Sequence, residues 1–282
     1  MKSQILRLFV STFSVTVLAR LTQLGLASVL GRAIGSEGYG VFVYALGLAA
    51  LVQQVAGLGM PPMTLRFIPS YLQENKHALA KGFLITSEII LILTTLIATL
   101  AVLGVVKFAP LRPELAAGLA LGALVIMPRG LLRLRNSQST AIKRPGTGSF
   151  WELLAPNLLT LVFAFVAHYD AARPIVQFYA AAAVISFALA TVGVYRRLWP
   201  RVGEKSATFE TGTWLKAGVP AMLSIAARNM INRVDIVLIA PLSNMQQVGL
   251  FGVSSQLSNL LTFPQFILNS VMAPRYSESY TS

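Results

Sequence analysis

The residues of this sequence that are best suited to chemistry are charged side chains inside long apolar stretches. Arg20 lies in the first such stretch, and Arg228 and Arg233 lie together in a later one. A charge in hydrocarbon costs roughly 2.5–3.5 kcal/mol on insertion scales, so it usually faces a cavity or a partner. Because a guanidinium binds phosphate or carboxylate through two parallel hydrogen bonds, we predict that these three arginines line an anion-binding cavity. The alternative is that they pair with neighbouring groups or with lipid headgroups.

Two acidic residues accompany the arginines in the apolar stretches. Asp235 is two positions from Arg233, so the two side chains do not share a helix face. We interpret Asp235 as a partner across helices, with binding of a coupling cation as the alternative. Glu88 lies a turn or two from the end of its stretch. It fits either an acid at the membrane interface or a titrating group in a proton- or sodium-coupled cycle.

Residue patterns typical of enzymes are missing from the sequence. It contains no Cys, which excludes thiol nucleophiles, disulfides and Fe–S clusters. The two histidines, His77 and His168, fall in predicted loops on opposite faces of the membrane, so they cannot form a metal site or a dyad. DxD, HExxH, GxSxG and Walker motifs are also missing. We therefore predict that the chain is not an enzyme and needs no cofactor.

The elements that must position these residues are transmembrane helices. Of the 282 residues, 55% are hydrophobic and only 12% are charged, against about 25% charged in soluble domains. Since roughly 20 apolar residues span a bilayer as a helix, the sequence predicts an all-α, polytopic membrane protein with about eight transmembrane helices. These lie near 8–30, 40–62, 83–106, 114–134, 151–168, 174–195, 217–240 and 248–270.

The basic residues are distributed unevenly over the predicted loops, and the three long loops, at about 66–81, 129–149 and 196–216, are the basic ones. With the N-terminus in the cytoplasm, sixteen of the 23 Lys and Arg residues fall on the cytoplasmic side and four on the other. This bias follows the positive-inside rule of inner-membrane proteins. It predicts that both termini are cytoplasmic, and it accounts for the net charge of +13 without nucleic acid as a partner.

The chain contains an internal sequence repeat. The stretch from Arg20 to Tyr71 reappears from Arg228 to Tyr280, about 209 positions later. The matched pairs are Gly40 with Gly249, Phe42 with Phe251, Arg66 with Arg275, Tyr71 with Tyr280 and, one position shorter, Arg20 with Arg228. One period contains six spans, and an even number preserves orientation, so the two copies run parallel about an axis along the membrane normal. We predict a six-helix lobe at 1–200 and the start of a second lobe at 201–282.

The two copies of the repeat carry a family resemblance. The first reads LGRAIGSEGYGVFVYALGLAALVQQVAGLGMPPMTLRFIPSYLQENK, and the second reads NRVDIVLIAPLSNMQQVGLFGVSSQLSNLLTFPQFILNSVMAPRYSE. Both resemble Wzx-like polysaccharide flippases, the exporters of O-antigen and capsule repeat units, which belong to the multidrug/oligosaccharidyl-lipid/polysaccharide exporter superfamily. The resemblance implies movement of undecaprenyl-pyrophosphate-linked oligosaccharide across the bacterial inner membrane by alternating access. It also implies a cationic cavity between two lobes, with Arg20 and Arg228 at matching positions.

The resemblance also implies about twelve to fourteen spans, so the chain is interpreted as a truncated product, a fragment or half of a split gene. Its expected partners are lipid-linked oligosaccharide, membrane lipids and a polysaccharide polymerase with other assembly proteins. Two alternatives stay open. One is a cation-coupled drug exporter of the same superfamily, which would need acids deep in the first lobe. The other is a non-transporting remnant or assembly partner.

Overall fold

The chain folds into helices almost throughout. The computed structural model describes residues 2–166, 171–203, 206–231 and 234–261. Its helices are α1 (Lys2–Ala33), α2 (Gly35–Ala56), α3 (Met60–Gln73), α4 (His77–Phe108), α5 (Pro113–Ala141), α6 (Pro145–Ser149), a π-helical segment (Phe150–Leu154), α7 (Ala155–Val166), α8 (Ala172–Val202), α9 (Thr211–Ile231), α10 (Val234–Leu242) and α11 (Met245–Leu261). The predicted all-α fold is confirmed.

Six helical segments of the described residues are long and apolar enough to cross a membrane. They are α1 from Leu8, α2, α4, α5, the continuous segment Pro145–Val166, and α8. These correspond to the first six predicted spans, which makes the chain a multi-pass membrane protein. The region of the seventh span contains α9 up to Ile231 and α10 from Val234, with residues 232–233 outside the described residues. The region of the eighth span contains α11, and its later part also lies outside the described residues.

Two of the loops predicted from the sequence are wrong. Most of 66–81 is helical, because α3 continues to Gln73 and α4 begins at His77. Most of 129–149 is helical as well, because α5 continues through Pro128 to Ala141. The basic residues suggested a loop there, but Arg135 is buried by tertiary contacts and only 4% of its side chain is exposed. Packing around the charge therefore extends the helix beyond the apolar stretch.

The helices have two ends that differ in charge. We call the end with the turns 74–76 and 142–144 and with residues 206–210 the basic end. The end with the turns at 34, 109–112 and 243–244 is the opposite end. In the most apolar stretch of each helix, 61% of the residues are buried in α2 and in α5, but only 11% are buried in α4. α2 and α5 therefore form the centre of the bundle, and α4 presents its apolar side chains to lipid.

A close contact between α2 and α11 involves matching positions of the repeat. A Cβ added to Gly40 would lie 1.8 Å from the carbonyl oxygen of Met245, and one added to Gly249 would lie 2.2 Å from that of Ser36. Each added Cβ would also lie 3.1 Å from the backbone nitrogen of the other glycine. Ser36 matches Met245 as Gly40 matches Gly249, so the contact is reciprocal. Reciprocity of this kind is the pattern of two elements related by a two-fold axis.

We expect Gly40→Ala to destabilise the fold, because the new methyl group would displace backbone rather than a flexible side chain. Overpacking of this kind typically costs about 1–3 kcal/mol. The measurement is thermal unfolding of the purified protein in detergent. Gly31→Ala is the matched control, since a Cβ there meets nothing within 4 Å. Equal melting temperatures for the two variants would show that α2 and α11 do not pack as described.

The linker before α9 is anchored to the basic end of the first six spans. Trp214 is fully buried, its Nε1 donates a hydrogen bond of 3.0 Å to the hydroxyl of Tyr71, and its ring lies 5.3 Å edge-on from that of Phe83. The backbone N–H of Thr208 donates to the carbonyl of Ala78 at 3.1 Å. α9 is therefore held at the basic end, while α11 contacts α2 at the opposite end.

Candidate anion-binding cavity

A cavity of about 390 Å³ lies among helices from both copies of the repeat. α1, α2, α5, α7 and α8 contribute from the first six spans, and α10 and α11 contribute from the second copy. Its lining residues are Arg20, Gln23, Leu26, Ala27, Tyr39, Phe42, Val43, Leu46, Gly47, Arg129, Asn157, Tyr179, Ile236, Gly252, Ser255 and Gln256. Small-molecule sites combine apolar walls with a few convergent polar groups in this way.

Two arginines give the cavity its charge. Arg20 projects from α1 and is exposed, while Arg129 projects from α5 and is half-buried. Within the described part of the chain, neither has a carboxylate oxygen within 4.0 Å. Arg129 Nη1 lies 3.5 Å from the carbonyl oxygen of Leu46, a long contact that leaves most of its five N–H donors for other partners. The cavity therefore carries two positive charges that can be neutralised by an anion.

Neutral polar groups line the cavity in addition to the two arginines. Gln256 donates from Nε2 to the hydroxyl of Tyr39 at 2.8 Å, which joins α11 to α2 across the cavity. Its Oε1 is buried and has no hydrogen-bond partner among the described residues. A buried acceptor without a hydrogen-bond donor costs free energy of folding. A hydroxyl group of a bound molecule could supply that donor.

Aromatic rings form one wall of the cavity. The ring of Phe42 lies 6.1 Å from that of Tyr179 in an edge-on arrangement and 6.2 Å from that of Tyr39. Tyr39 and Tyr179 are 2% and 3% exposed, so packing fixes both rings. Rigid rings beside the polar groups give the cavity a fixed shape, which orients a bound molecule.

The predicted site residues do not all meet in this cavity. Arg20 lines it, whereas Arg228 is exposed on α9 and is not among the lining residues. Arg233 lies outside the described residues. Asp235 is exposed in the first turn of α10, where the helix dipole favours a negative charge. The structure therefore brings one predicted arginine to the cavity and adds Arg129, which the sequence analysis had assigned to a loop.

Glu88 has a partner instead of a place in the cavity. Its Oε1 lies 2.5 Å from Nη1 of Arg135 and accepts a hydrogen bond of 2.9 Å from the hydroxyl of Tyr195. Arg135 also donates to Thr191 Oγ1 at 2.9 Å and to Gln138 Oε1 at 2.6 Å. These contacts join α4, α5 and α8 inside the bundle. The charge of Glu88 is therefore compensated by that of Arg135.

Sequence reasoning missed Arg129 because this residue was counted among the basic residues of the cytoplasmic loop predicted at about 129–149. A usable signal was present, since Arg129 and Arg133 are four positions apart and share one helix face. Arg133 lies next to Arg129 on that face and donates a hydrogen bond to Oε1 of Gln54 on α2. α5 is a central helix, and a polar face on such a helix indicates a surface inside the bundle.

Comparison with known proteins identifies the family. The model of the family described as "Polysaccharide biosynthesis protein" matches residues 5–279, nearly the whole chain.

The chain belongs to this polysaccharide biosynthesis protein family.

The match covers both copies of the repeat except for the last residue, Tyr280, and confirms the resemblance to Wzx-like polysaccharide flippases. No curated protein and no solved structure gives a significant match. As a member of the polysaccharide biosynthesis protein family with six apolar spans among its described residues, the chain is a membrane protein of polysaccharide biosynthesis.

Proposed function

We propose that this protein is a flippase that moves undecaprenyl-pyrophosphate-linked oligosaccharide repeat units across the bacterial inner membrane. The observation that carries the proposal is the cavity with Arg20 and Arg129, two cations without carboxylate partners among the described residues. A pyrophosphate provides the negative charge that such a pair lacks, and guanidinium groups bind phosphate oxygens through paired hydrogen bonds. The match to the polysaccharide biosynthesis protein family supports a substrate of this class.

The oligosaccharide is proposed to occupy the neutral part of the same cavity. Asn157 is 6% exposed there, and the buried Oε1 of Gln256 has no donor within the described residues. Sugar hydroxyls can both donate and accept, so they match a surface of amides and hydroxyl groups. The lipid tail stays in the hydrocarbon outside the bundle. The substrate is therefore divided between an aqueous cavity and the bilayer.

Transport is proposed to follow alternating access between two lobes, residues 1–200 and the lobe that begins at 201–282. The reciprocal contact of Gly40 with Gly249 supports this organisation, because it relates α2 and α11 by a two-fold operation. In the described arrangement this contact lies near the opposite end. Separation of α2 from α11 would open the cavity toward that end. Arg228 and Arg233, at the head of the second copy, are proposed to add to the cationic surface.

The cellular setting is part of the same proposal. Both termini are placed in the cytoplasm, so the basic end faces the cytoplasm and the opposite end faces the periplasm. The substrate then enters the cavity from the cytoplasmic leaflet. A polysaccharide polymerase and other assembly proteins are the proposed partners on the periplasmic side, and membrane lipids surround α4. No enzymatic step is required of the chain.

A cation-coupled drug exporter is the alternative that the cavity disfavours. Binding of a cation needs acidic side chains, and none of the described lining residues is acidic. The candidate acid of the first lobe, Glu88, is paired with Arg135. The cavity does not distinguish a flippase from a non-transporting assembly partner. A transport experiment is needed to decide between these two functions.

The test is transport by the purified protein in liposomes. Fluorescent undecaprenyl-pyrophosphate oligosaccharide is placed in both leaflets, and a membrane-impermeant reductant bleaches the outer leaflet. A flippase allows the inner pool to be bleached as well, whereas protein-free liposomes retain about half of the signal. Complementation of a strain that lacks its flippase is the cellular counterpart. Retention of half of the signal with correctly inserted protein would contradict the proposed activity.

A further inference from the structure

A second cavity lies at the basic end, apart from the first. Its volume is about 930 Å³, and it lies between the start of α1 and the turn that joins α5 to the helical segment Pro145–Val166. Its lining residues are Leu8, Ser11, Lys143, Arg144, Gly146, Thr147, Phe150 and Trp151. None of them lines the first cavity. We call this cavity the interfacial groove, because it lies at the water-facing end of two membrane-spanning segments.

The interfacial groove is positively charged. Lys143 and Arg144 are adjacent in the turn and both are exposed. Among the described residues, neither has a carboxylate oxygen within 4.0 Å. The hydroxyl groups of Ser11 and Thr147 border the same space. The groove therefore presents two cations and neutral hydrogen-bonding groups to the level of the lipid headgroups.

The backbone conformation of Lys143 is unusual for a lysine. Its φ is +61°, in the left-handed region that favours glycine. The N–H of Lys143 donates to the carbonyl of Thr140 at 2.9 Å, and that of Arg144 donates to the carbonyl of Ser139 at 2.8 Å. This is the hydrogen-bond pattern of a Schellman helix end, where glycine is the usual residue. Since glycine is favoured at this position, the lysine does not stabilise the turn. We therefore expect the lysine side chain to have a separate function.

The remaining wall of the interfacial groove is apolar. Leu8 contributes from α1, and the rings of Phe150 and Trp151 lie 4.9 Å apart in an edge-on arrangement. Tryptophan is enriched at the boundary between headgroups and acyl chains. A soluble phosphate would use only the cationic part of this surface. A molecule with an anionic head and an apolar tail matches both parts.

We propose that the interfacial groove binds the headgroup of an anionic phospholipid, with Lys143 and Arg144 at its phosphate and Phe150 and Trp151 along the start of its acyl chains. Basic pockets between membrane helices bind anionic headgroups in this way. The bound lipid would hold α1 against the Pro145–Val166 segment. This site is separate from the cavity of the proposed transport function and does not depend on that function.

The experiment measures lipid selectivity by tryptophan fluorescence. The protein is reconstituted in phosphatidylcholine vesicles with increasing amounts of phosphatidylglycerol brominated near the top of its acyl chains, which quenches a nearby tryptophan. The wild-type protein is expected to show saturable quenching at a low fraction of brominated lipid. Lys143→Gln with Arg144→Gln should need a roughly 25-fold higher fraction, from the usual contribution of two interfacial cations. Trp151→Phe should remove this quenching component.

Arg196→Gln with Arg197→Gln is the matched control. It removes the same charge from exposed positions at the basic end and outside the interfacial groove, so it should behave as the wild type. An equal shift in this control would overturn the proposal, because charge alone would then explain the selectivity. Loss of the quenching component in millimolar inorganic phosphate would also overturn it, since the occupant would then be a free anion.

The variant Lys143→Gly tests whether the side chain of Lys143 contacts lipid or has a role in the turn. Glycine is favoured at this φ, so the variant should unfold at a temperature at least as high as that of the wild type. It should nevertheless need a roughly fivefold higher fraction of brominated phosphatidylglycerol, as expected for the loss of one cation. A wild-type quenching curve for Lys143→Gly would overturn the assignment.

Discussion

Replacement of Arg20 and Arg129 by glutamine is expected to abolish transport in liposomes and to eliminate surface polysaccharide in a complementation assay. Both arginines line the cavity without a carboxylate partner among the described residues. A hydrogen bond to a charged group contributes about 1.5–3 kcal/mol. Loss of two such contacts would therefore weaken binding of a pyrophosphate roughly 100-fold to 10,000-fold. Each single variant should show an intermediate loss.

Lysine at both positions separates charge from geometry. It keeps the positive charge but loses the planar, paired hydrogen bonds of arginine, so partial transport is expected. Arg32→Gln with Arg173→Gln is the matched control, since these exposed cations lie at the opposite end and outside the cavity. Wild-type transport by the Arg20 and Arg129 glutamine variant would disprove the anion-binding role.

The contribution of the second copy of the repeat is measured in the same assay. Arg228 matches Arg20 in the sequence but does not line the described cavity. A transport cycle that brings the two lobes together in another arrangement would bring Arg228 to the substrate. Arg20→Gln with Arg228→Gln should then transport less than Arg20→Gln alone. Equal transport by the two variants would restrict the site to the first lobe and α11.

The largest effect on stability is expected from breaking the pair of Glu88 and Arg135. The side chain of Arg135 is 4% exposed and that of Glu88 is 21% exposed, so Glu88→Leu would leave a buried guanidinium without its carboxylate. Removal of one partner of a buried ion pair typically costs about 3–5 kcal/mol of the free energy of unfolding. The measurement is unfolding of the purified protein in detergent, by heat or by denaturant.

The double variant Glu88→Leu with Arg135→Met tests the cause of this loss. It removes both charges, so it should recover much of the stability that Glu88→Leu loses. Glu74→Gln is the control for an ion pair that is exposed, since Glu74 lies 2.6 Å from Lys76 at the surface. It should leave the melting temperature unchanged within error. A double variant no more stable than Glu88→Leu would show that the pair is not what the single variant disrupts.

Several features of this protein follow from local sequence and could be predicted. The first six membrane spans appear as apolar stretches of the required length, because hydrocarbon requires each helix to satisfy its own backbone hydrogen bonds. The repeat was visible in the spacing of Gly40 and Gly249. Arg20 was identifiable as a cavity residue because a lone charge in an apolar stretch is costly. Each of these inferences uses neighbouring residues or a direct comparison of two stretches.

The parts that were predicted wrongly depend on contacts between distant residues. Arg129 and Arg135 looked like loop cations, since the bundle that surrounds α5 is not encoded in their neighbours. Arg135 is buried because Glu88, 47 positions earlier, supplies its counter-charge. Arg129 faces the cavity because α5 is central and packs against α2. Its role in the cavity follows from that placement and not from the surrounding sequence.

The sequence by itself determined that the chain is a helical membrane protein with an internal repeat and charges that need partners, because hydropathy and periodicity are local properties. Only the tertiary structure decided which partner each charge has. It paired Glu88 with Arg135, left Arg20 and Arg129 facing an open cavity, and brought Gly40 against Gly249. The physical reason is that charge compensation and close packing depend on distances across the bundle, which are set when all of its helices pack together.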